Sequence, residues 1–259
     1  MVEESYKIIS NELFRQTLLG SDKENVITYN CDMEVKKSIV FNKIKLREGI
    51  SATDVRNIIA RHTYNENNGI GVLGVDLEDN IVHVVILLRT PTYINVYNQQ
   101  TQEFDKNVVN VYDRVAVNLD CIKSLFYSVA SSSKLTKVKN FIRSIFDGKI
   151  SFDNIQLSYS KLVSWLNDDG LEYSILSMTI RKFRYDEYAV GRFSAQISSQ
   201  ETGQRLLNEY QDEVRNVVFN VDADKLSPFI LQCALQNTLT LKCEEADFLI
   251  IVEMLKQHL

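Results

Sequence analysis

Two neighbouring runs of β-branched and other apolar residues, at 70–77 and 81–89, are separated by only three polar residues. Strand-forming runs joined by so short a polar segment are typical of a β-hairpin, whose strands pair antiparallel. Further runs with strand character lie at 38–46, 93–98 and 108–117. Hairpin connections outnumber strand–helix–strand units, so we predict an α+β fold with mainly antiparallel strands.

Amphipathic helices are predicted to pack on these strands, because apolar residues recur at helical spacing between them. The clearest case is residues 134–146, where Leu135, Val138 and Ile142 fall on one side. Other helices are predicted at 4–19, 51–62, 119–129, 155–167, 199–213, 226–236 and 244–257. The remaining strands are predicted at 25–29, 171–184, 188–197 and 215–221.

The chain is long enough for one large domain or for two of ordinary size. A division near residues 147–153 predicts an N-terminal α/β subdomain at 1–148 and a C-terminal one at 149–259. A weak internal echo favours two similar subdomains. Ser51 and Ser198 each begin a helix, and an aspartate ends the next strand 25 and 24 residues later, respectively. A single compact domain is the alternative.

The composition excludes several classes of protein. The 259 residues include 9 glycines and 2 prolines, well below average usage of about 7% and 5%, which argues against collagen-like and low-complexity chains. The net charge of −5 argues against a general polyanion binder. The four cysteines are far apart, and with an acidic N-terminus and no long apolar run they predict a cytoplasmic protein without a membrane anchor.

Gly69, Gly71 and Gly74 match the pattern G-x-G-x-x-G. A dinucleotide site requires a strand before this pattern and a helix after it, so that the pyrophosphate meets the helix N-terminus. Here the predicted order is the reverse, because a helix precedes the glycines and a strand follows. We therefore interpret them as structural glycines that allow a close approach of the backbone. No cofactor and no metal site is predicted.

Two clusters of basic residues could contact phosphate groups. The first lies on a predicted strand pair at 181–193, where Phe183 and Tyr185 could stack on bases between the cations. The second lies on the polar side of the predicted helix 134–146. Their basic residues are Arg181, Lys182, Arg184 and Arg192 in the first cluster and Lys134, Lys137 and Arg143 in the second. They support a hypothesis of nucleic-acid binding, and solvated polar faces are the alternative.

A third hypothesis is a Mg²⁺-dependent nuclease. The hairpin that carries Asp76 resembles the one on which nucleases with an RNase H-like fold hold a metal-binding aspartate. Glu34 and Lys36, with Asp22 upstream, loosely fit the D…E-x-K pattern of other metal-dependent nucleases. Both matches are short, and a solvated strand face is the better explanation of Glu34 and Lys36.

The predicted C-terminal helix is apolar around much of its circumference, which indicates either burial or contact with another chain. Phe248, Ile251 and Leu255 are the residues that we assign to such an interface. None of the candidate sites has convincing catalytic spacing. The leading hypothesis is therefore a non-enzymatic binding protein, acting as an assembly or regulatory subunit that binds a protein partner or itself.

Overall fold

The computed structural model of the chain describes residues 34–155, 157–234 and 238–259. The helix predicted at 4–19 and the strand predicted at 25–29 lie outside these residues. The described chain forms five helices and eleven strands. Pairing between the strands is mainly antiparallel, so the predicted α+β class is confirmed.

The described residues divide into two compact units. The first contains residues 42–153, and the second contains residues 34–41 and 154–259. Strand β1 (Glu34–Leu46) contributes to both, because its first part pairs with the penultimate element of the chain. This sharing was not predicted from the sequence, and the expected division into 1–148 and 149–259 stays a prediction.

The first unit contains most of the predicted hairpins. In it, α1 packs on β2 and β3, and the strands lie in the order β2-β3-β4-β5-β1, with β6 also pairing with β1. Glu78 lies opposite Ile81 across the β2–β3 turn, which confirms the predicted hairpin. After β1 its elements are α1 (Ala52–Ala60), β2 (Ile70–Glu78), β3 (Ile81–Asn98), β4 (Glu103–Asp120), β5 (Leu125–Ser128), α2 (Ser132–Ile145) and β6 (Ile150–Asn154).

The core of the first unit follows from alternation along β3. Val82, Val84, Ile86 and Leu88 all point to one face and are buried. Helix α1 begins with a capping box, in which Ser51 Oγ accepts a hydrogen bond from the Asp54 amide and the Asp54 carboxylate accepts one from the Ser51 amide. The Ser51 hydroxyl also donates to the Asp54 carboxylate at 2.6 Å, and this bond, with the one from the Ser51 amide, lowers the pKa of Asp54. An aspartate thus fills the place usually taken by Glu or Gln.

The helix predicted at 119–129 is wrong. Strand β4 runs to Asp120, whose carboxylate accepts hydrogen bonds from the Ile122 and Lys123 amides and so forms a turn. Ser124 has a φ of 54°, and β5 begins at the next residue. The helical spacing was misleading because Ile122, one of its apolar positions, is 72% exposed.

The second unit is a sheet with three helices. Its strands lie in the order β1-β11-β10-β9-β7-β8, which differs from the order in the first unit, although α1 and α4 both have an N-cap serine and lead into a strand. After residue 154 its elements are α3 (Tyr159–Asp168), β7 (Glu172–Arg184), β8 (Val190–Gln196), α4 (Gln200–Glu209), β9 (Val214–Ala223), β10 (Leu226–Ala234), β11 (Thr238–Glu244) and α5 (Phe248–Gln257).

The helix predicted at 226–236 is also wrong over its described residues, since Leu226–Ala234 form β10. Phe229, Leu231 and Cys233 are buried while the residues between them are half-buried, and this period of two is that of a strand. Strand β10 pairs on both sides, with β9 and β11. A short apolar run of this kind fits either period in the sequence, and the two neighbouring strands decide it.

The glycine pattern serves a close approach of the backbone, as interpreted. The segment after α1 lies against β2, where the Val72 amide donates to His62 O at 2.9 Å and the Tyr64 amide donates to Val72 O at 3.1 Å. A Cβ atom at Gly71 would lie 2.3 Å from Tyr64 Cα, whereas one at Gly74 would meet nothing within 4 Å. Only Gly71 is therefore required by this contact.

We expect Gly71→Ala to lower the free energy of unfolding by about 3 kcal/mol, because the added methyl group can be accommodated only by moving backbone. The matched substitution Gly74→Ala should change it by less than about 1 kcal/mol. Urea unfolding followed by circular dichroism measures both. Equal effects of the two substitutions would show that the contact at Gly71 is not a constraint.

Candidate functional site

The most distinctive surface is the outer part of the β3–β4 hairpin. The pairing of β2 with β3 ends at Leu88, and β4 pairs with β5 only at residues 118–120. Past the last residues that pair with β2 and β5, strands β3 and β4 continue through ten cross-strand pairs, from Arg89 opposite Tyr112 to Asn98 opposite Glu103. We call residues 89–98 and 103–112 the ribbon. No other strand of the described chain pairs with it.

The ribbon exposes an unusual amount of apolar surface. Nine of the sixteen large apolar side chains that are exposed in the described chain belong to it. Tyr93 is 71% exposed and Phe104 is 69% exposed. The nine are Tyr93, Ile94, Val96, Tyr97, Phe104, Val108, Val109, Val111 and Tyr112.

Strand alternation sorts these side chains onto two faces. One face is mainly aromatic, and on it the rings of Tyr97 and Phe104 lie 5.4 Å apart. The other face is aliphatic and continues the row of buried residues that ends at Leu88. The aromatic face carries Tyr93, Tyr97, Phe104, Val108 and Tyr112, and the aliphatic face carries Ile94, Val96, Val109 and Val111. Both faces of the ribbon therefore expose apolar side chains.

The Glu66 carboxylate forms hydrogen bonds with the first residue pair of the ribbon. Glu66 accepts hydrogen bonds from Tyr64 Oη at 2.7 Å, from Tyr112 Oη at 2.8 Å and from Arg89 Nη1 at 2.9 Å. These bonds lower the pKa of Glu66, whereas burial and the bond to Glu66 raise the pKa of Tyr64 to about 12. Since Arg89 and Tyr112 form the first pair of the ribbon, Glu66 ties its base to the segment after α1.

The first basic cluster lies on the β7–β8 hairpin, where Phe183 is packed against other rings while Tyr185 is 56% exposed. Phe183 stacks on Phe193 with centroids 4.5 Å apart and on Tyr210 at 5.1 Å. Arg184 lies opposite Val190, so alternation places Arg184 and Arg192 together on the other face. The predicted combination of stacking rings and cations is therefore divided between two faces.

The cations of this cluster differ in their surroundings. Arg181, Arg184 and Arg192 are exposed, while Lys182 forms an ion pair with Glu213 at 3.0 Å. The arginines remain accessible to a phosphate group.

The second basic cluster has partners within the first unit. Lys134 forms an ion pair with Asp113 at 2.6 Å, and Lys137 donates to the Thr90 hydroxyl at 3.2 Å. The Arg143 guanidinium lies over the Phe152 ring, 5.4 Å from its centroid. These contacts favour a role in holding α2 on the sheet.

Neither of the described carboxylates proposed for a nuclease belongs to a group that could hold a metal ion. Glu34 forms an ion pair with Lys242 at 2.7 Å, and Asp76 accepts a hydrogen bond from the Leu77 amide at 2.9 Å. Asp22 lies outside the described residues. Among residues that the structure describes, no group of three His, Cys, Asp or Glu side chains could hold a metal ion.

The residues assigned to an interface on the terminal helix are in the core instead. Phe248 and Leu255 are each 1% exposed and Ile251 is 0% exposed, because α5 packs on the sheet beside β11. The Lys37 ammonium also lies 5.3 Å from the centroid of the Phe248 ring. The candidate interface is therefore the ribbon rather than α5, and the sequence analysis had not identified the ribbon.

No helix in the described ranges is long and apolar enough to cross a membrane. No protein-family model matches the chain, and no curated protein matches it in sequence.

The three hydrogen bonds to Glu66 should make stability depend on pH. A carboxyl whose pKa is lowered by folding stabilises the folded state above its ordinary pKa of 4.5, and this contribution is lost as the pH falls through the folded-state value. We expect the urea midpoint of the wild type to fall more than that of Glu66→Gln as the pH drops from about 6 to about 3.

The control for this prediction is Glu48→Gln, which removes an exposed carboxylate. It should retain the acid dependence of the wild type. Identical acid profiles for Glu66→Gln and the wild type would show that Glu66 does not fasten the ribbon.

Proposed function

We propose that this chain is a non-enzymatic protein-binding subunit of an assembly, and that it binds its partner through the ribbon. The observation that carries the proposal is a pair of strands that expose nine apolar side chains and pair only with each other within the described chain. A two-stranded hairpin alone is marginally stable in water, and further strands or packing on its apolar face stabilise it.

The exposed area supports the same proposal. A fully exposed aromatic side chain offers about 150–250 Å², so the four partly exposed aromatic residues of the ribbon leave roughly 500 Å². The largest apolar patch of a typical monomer is about 300–600 Å². The aromatic face alone, to which Val108 also belongs, therefore lies in the upper part of this range, and the opposite face exposes four further aliphatic residues.

The charges of the ribbon favour a protein over a nucleic acid as its partner. Ribbons that enter a DNA groove neutralise phosphates with basic residues. Here Arg89 and Lys106 are balanced by Glu103 and Asp105, and the Asn98 amide donates to the Asp105 carboxylate at 2.9 Å. The formal charge of the ribbon is therefore zero.

The proposal is tested by replacing the two most exposed ring side chains of the ribbon, Tyr93→Gln and Phe104→Gln, in one variant. Its control replaces Ile122, 72% exposed, and Tyr188, 95% exposed, by Gln. Both variants remove apolar surface, but only the first removes it from the ribbon. Tagged proteins are purified from the native source, and stoichiometric bound chains, including untagged copies of this chain, are quantified.

We expect the wild type and the control to retain a stoichiometric partner and the ribbon variant to lose at least nine-tenths of it, a tenfold or greater loss of affinity. A partner retained equally by all three proteins would place the interface elsewhere. A wild type that captures nothing would contradict the assembly role itself.

Nucleic-acid binding by the β7–β8 hairpin is a second candidate function. It is favoured by the exposed Arg184 and Arg192 on one face and by the exposed Arg181 on the same hairpin. Because Phe183 already stacks on Phe193 and Tyr210, phosphate contacts would carry most of the binding there, with Tyr185, 56% exposed, as the ring left for a base.

Phosphate contacts release counterions, so the logarithm of the binding constant for a single-stranded oligonucleotide should fall linearly with the logarithm of salt concentration. Replacing Arg181, Lys182 and Arg184 by Ala should flatten that slope by about 0.7 per lost contact. Fluorescence anisotropy measures it, and Lys161, Arg205 and Lys225 replaced by Ala form a control of equal charge. The same slope for both triple variants would contradict the assignment.

A further inference from the structure

The two edges of the ribbon differ in what they offer a further strand. On β3, the Arg89 N–H points outward, that is, away from β4, and donates to Gly69 O at 2.7 Å. Backbone groups alternate along a strand, so Pro91 also faces outward, and it has no N–H to donate. The β3 edge is therefore partly covered and interrupted by proline, which is how natural edges avoid pairing.

The β4 edge has neither obstruction. The residues opposite the outward-facing positions of β3 also face outward, since cross-strand neighbours share their orientation. On β4 these residues are Phe104, Lys106, Val108, Asn110 and Tyr112. Each keeps its N–H, and no backbone partner for them occurs in the described chain. Five consecutive outward positions thus form a continuous template for a strand.

We propose that a second copy of this chain pairs along this edge, with β4 antiparallel to the partner's β4 about a two-fold axis. The inference rests on the proposed function, because it names the partner that the ribbon binds. An isologous contact of this kind brings the same surface from both copies together. It would turn two marginal ribbons into one four-stranded sheet with continuous apolar faces.

One register satisfies the side chains best, and it is centred on Val108. There Val108 lies opposite the partner's Val108, Phe104 opposite the partner's Tyr112, and Lys106 opposite the partner's Asn110. Aromatic pairs in such positions add to sheet stability. At the ends Glu103 meets the partner's Asp113, but Asp113 already has an ion pair with Lys134 at 2.6 Å.

Neighbouring registers are less favourable. Centring the pair on Lys106 opposes two ammonium groups, and centring it on Val109 replaces the aromatic pairs by Phe104 and the partner's Arg114. Centring it on Asn110 places Lys106 opposite the partner's Arg114. Like charges directly opposite each other destabilise a sheet. Centring it on Asn107 opposes no like charges but replaces the aromatic pairs by Phe104 and the partner's Asn110.

The substitution Val108→Pro tests the edge directly. Because the Val108 N–H faces outward, proline there leaves the β3–β4 ladder its hydrogen bonds but removes both bonds of the central intermolecular pair. Val190→Pro is the matched control, because Val190 is an equally exposed valine, 59% in both cases, on the edge strand β8. Circular dichroism verifies that both variants fold, and sedimentation equilibrium gives the dimer dissociation constant.

We expect the purified wild type and Val190→Pro to dimerise with the same dissociation constant and Val108→Pro to raise it at least tenfold. The register is tested independently by Val108→Cys, which should form a disulfide-linked dimer on oxidation because its two copies meet at the axis. Lys106→Cys, which faces the partner's Asn110, should not form one beyond the level of the wild type.

The failures of the two proposals can be told apart. A monomeric wild type whose ribbon variant still loses a different protein would overturn self-pairing and leave the protein-binding function standing. A dimer that Val108→Pro does not weaken, without a disulfide at Val108→Cys, would overturn pairing through β4. A monomeric wild type that captures no protein would overturn both.

Discussion

Every N–H and C=O group on a strand needs a hydrogen-bond partner, and this requirement organises the whole of the described chain. Strands β9, β10 and β11 satisfy it on both sides within the second unit. In the first unit β3 and β4 satisfy it on both sides only where β2 and β5 reach them. In the ribbon these two strands pair only with each other. The interface that we propose lies along their unpaired edge on β4.

The hairpin at the centre of the fold was predictable because its signals are local. The polar residues 78–80 and the β-branched runs beside them specify a turn and two strands without help from the rest of the chain. The helices α1 and α2 were predictable for the same reason, since the apolar spacing of each and the N-cap serine of α1 lie within one segment. Most of the strand and helix pattern of the first unit could therefore be obtained from sequence.

The parts that could not be predicted depend on distant neighbours. Residues 226–234 fit a helical period, and only pairing with β9 and β11 makes them a strand. The interface was assigned to Phe248 and its neighbours because an apolar helix indicates either burial or contact, and the sheet beneath α5 decides for burial. The ribbon was predicted as two unconnected strands, since no glycine or proline marks the turn at residues 99–102 that joins them.

The proline of β3 also bears on what kind of assembly can form. A ribbon with two open edges could add copies on both sides without end, as fibres do. With Pro91 interrupting one edge, a copy that has paired through β4 offers no equivalent surface to a third. The missing N–H of Pro91 would thus limit the assembly to a closed dimer and prevent open-ended polymerisation.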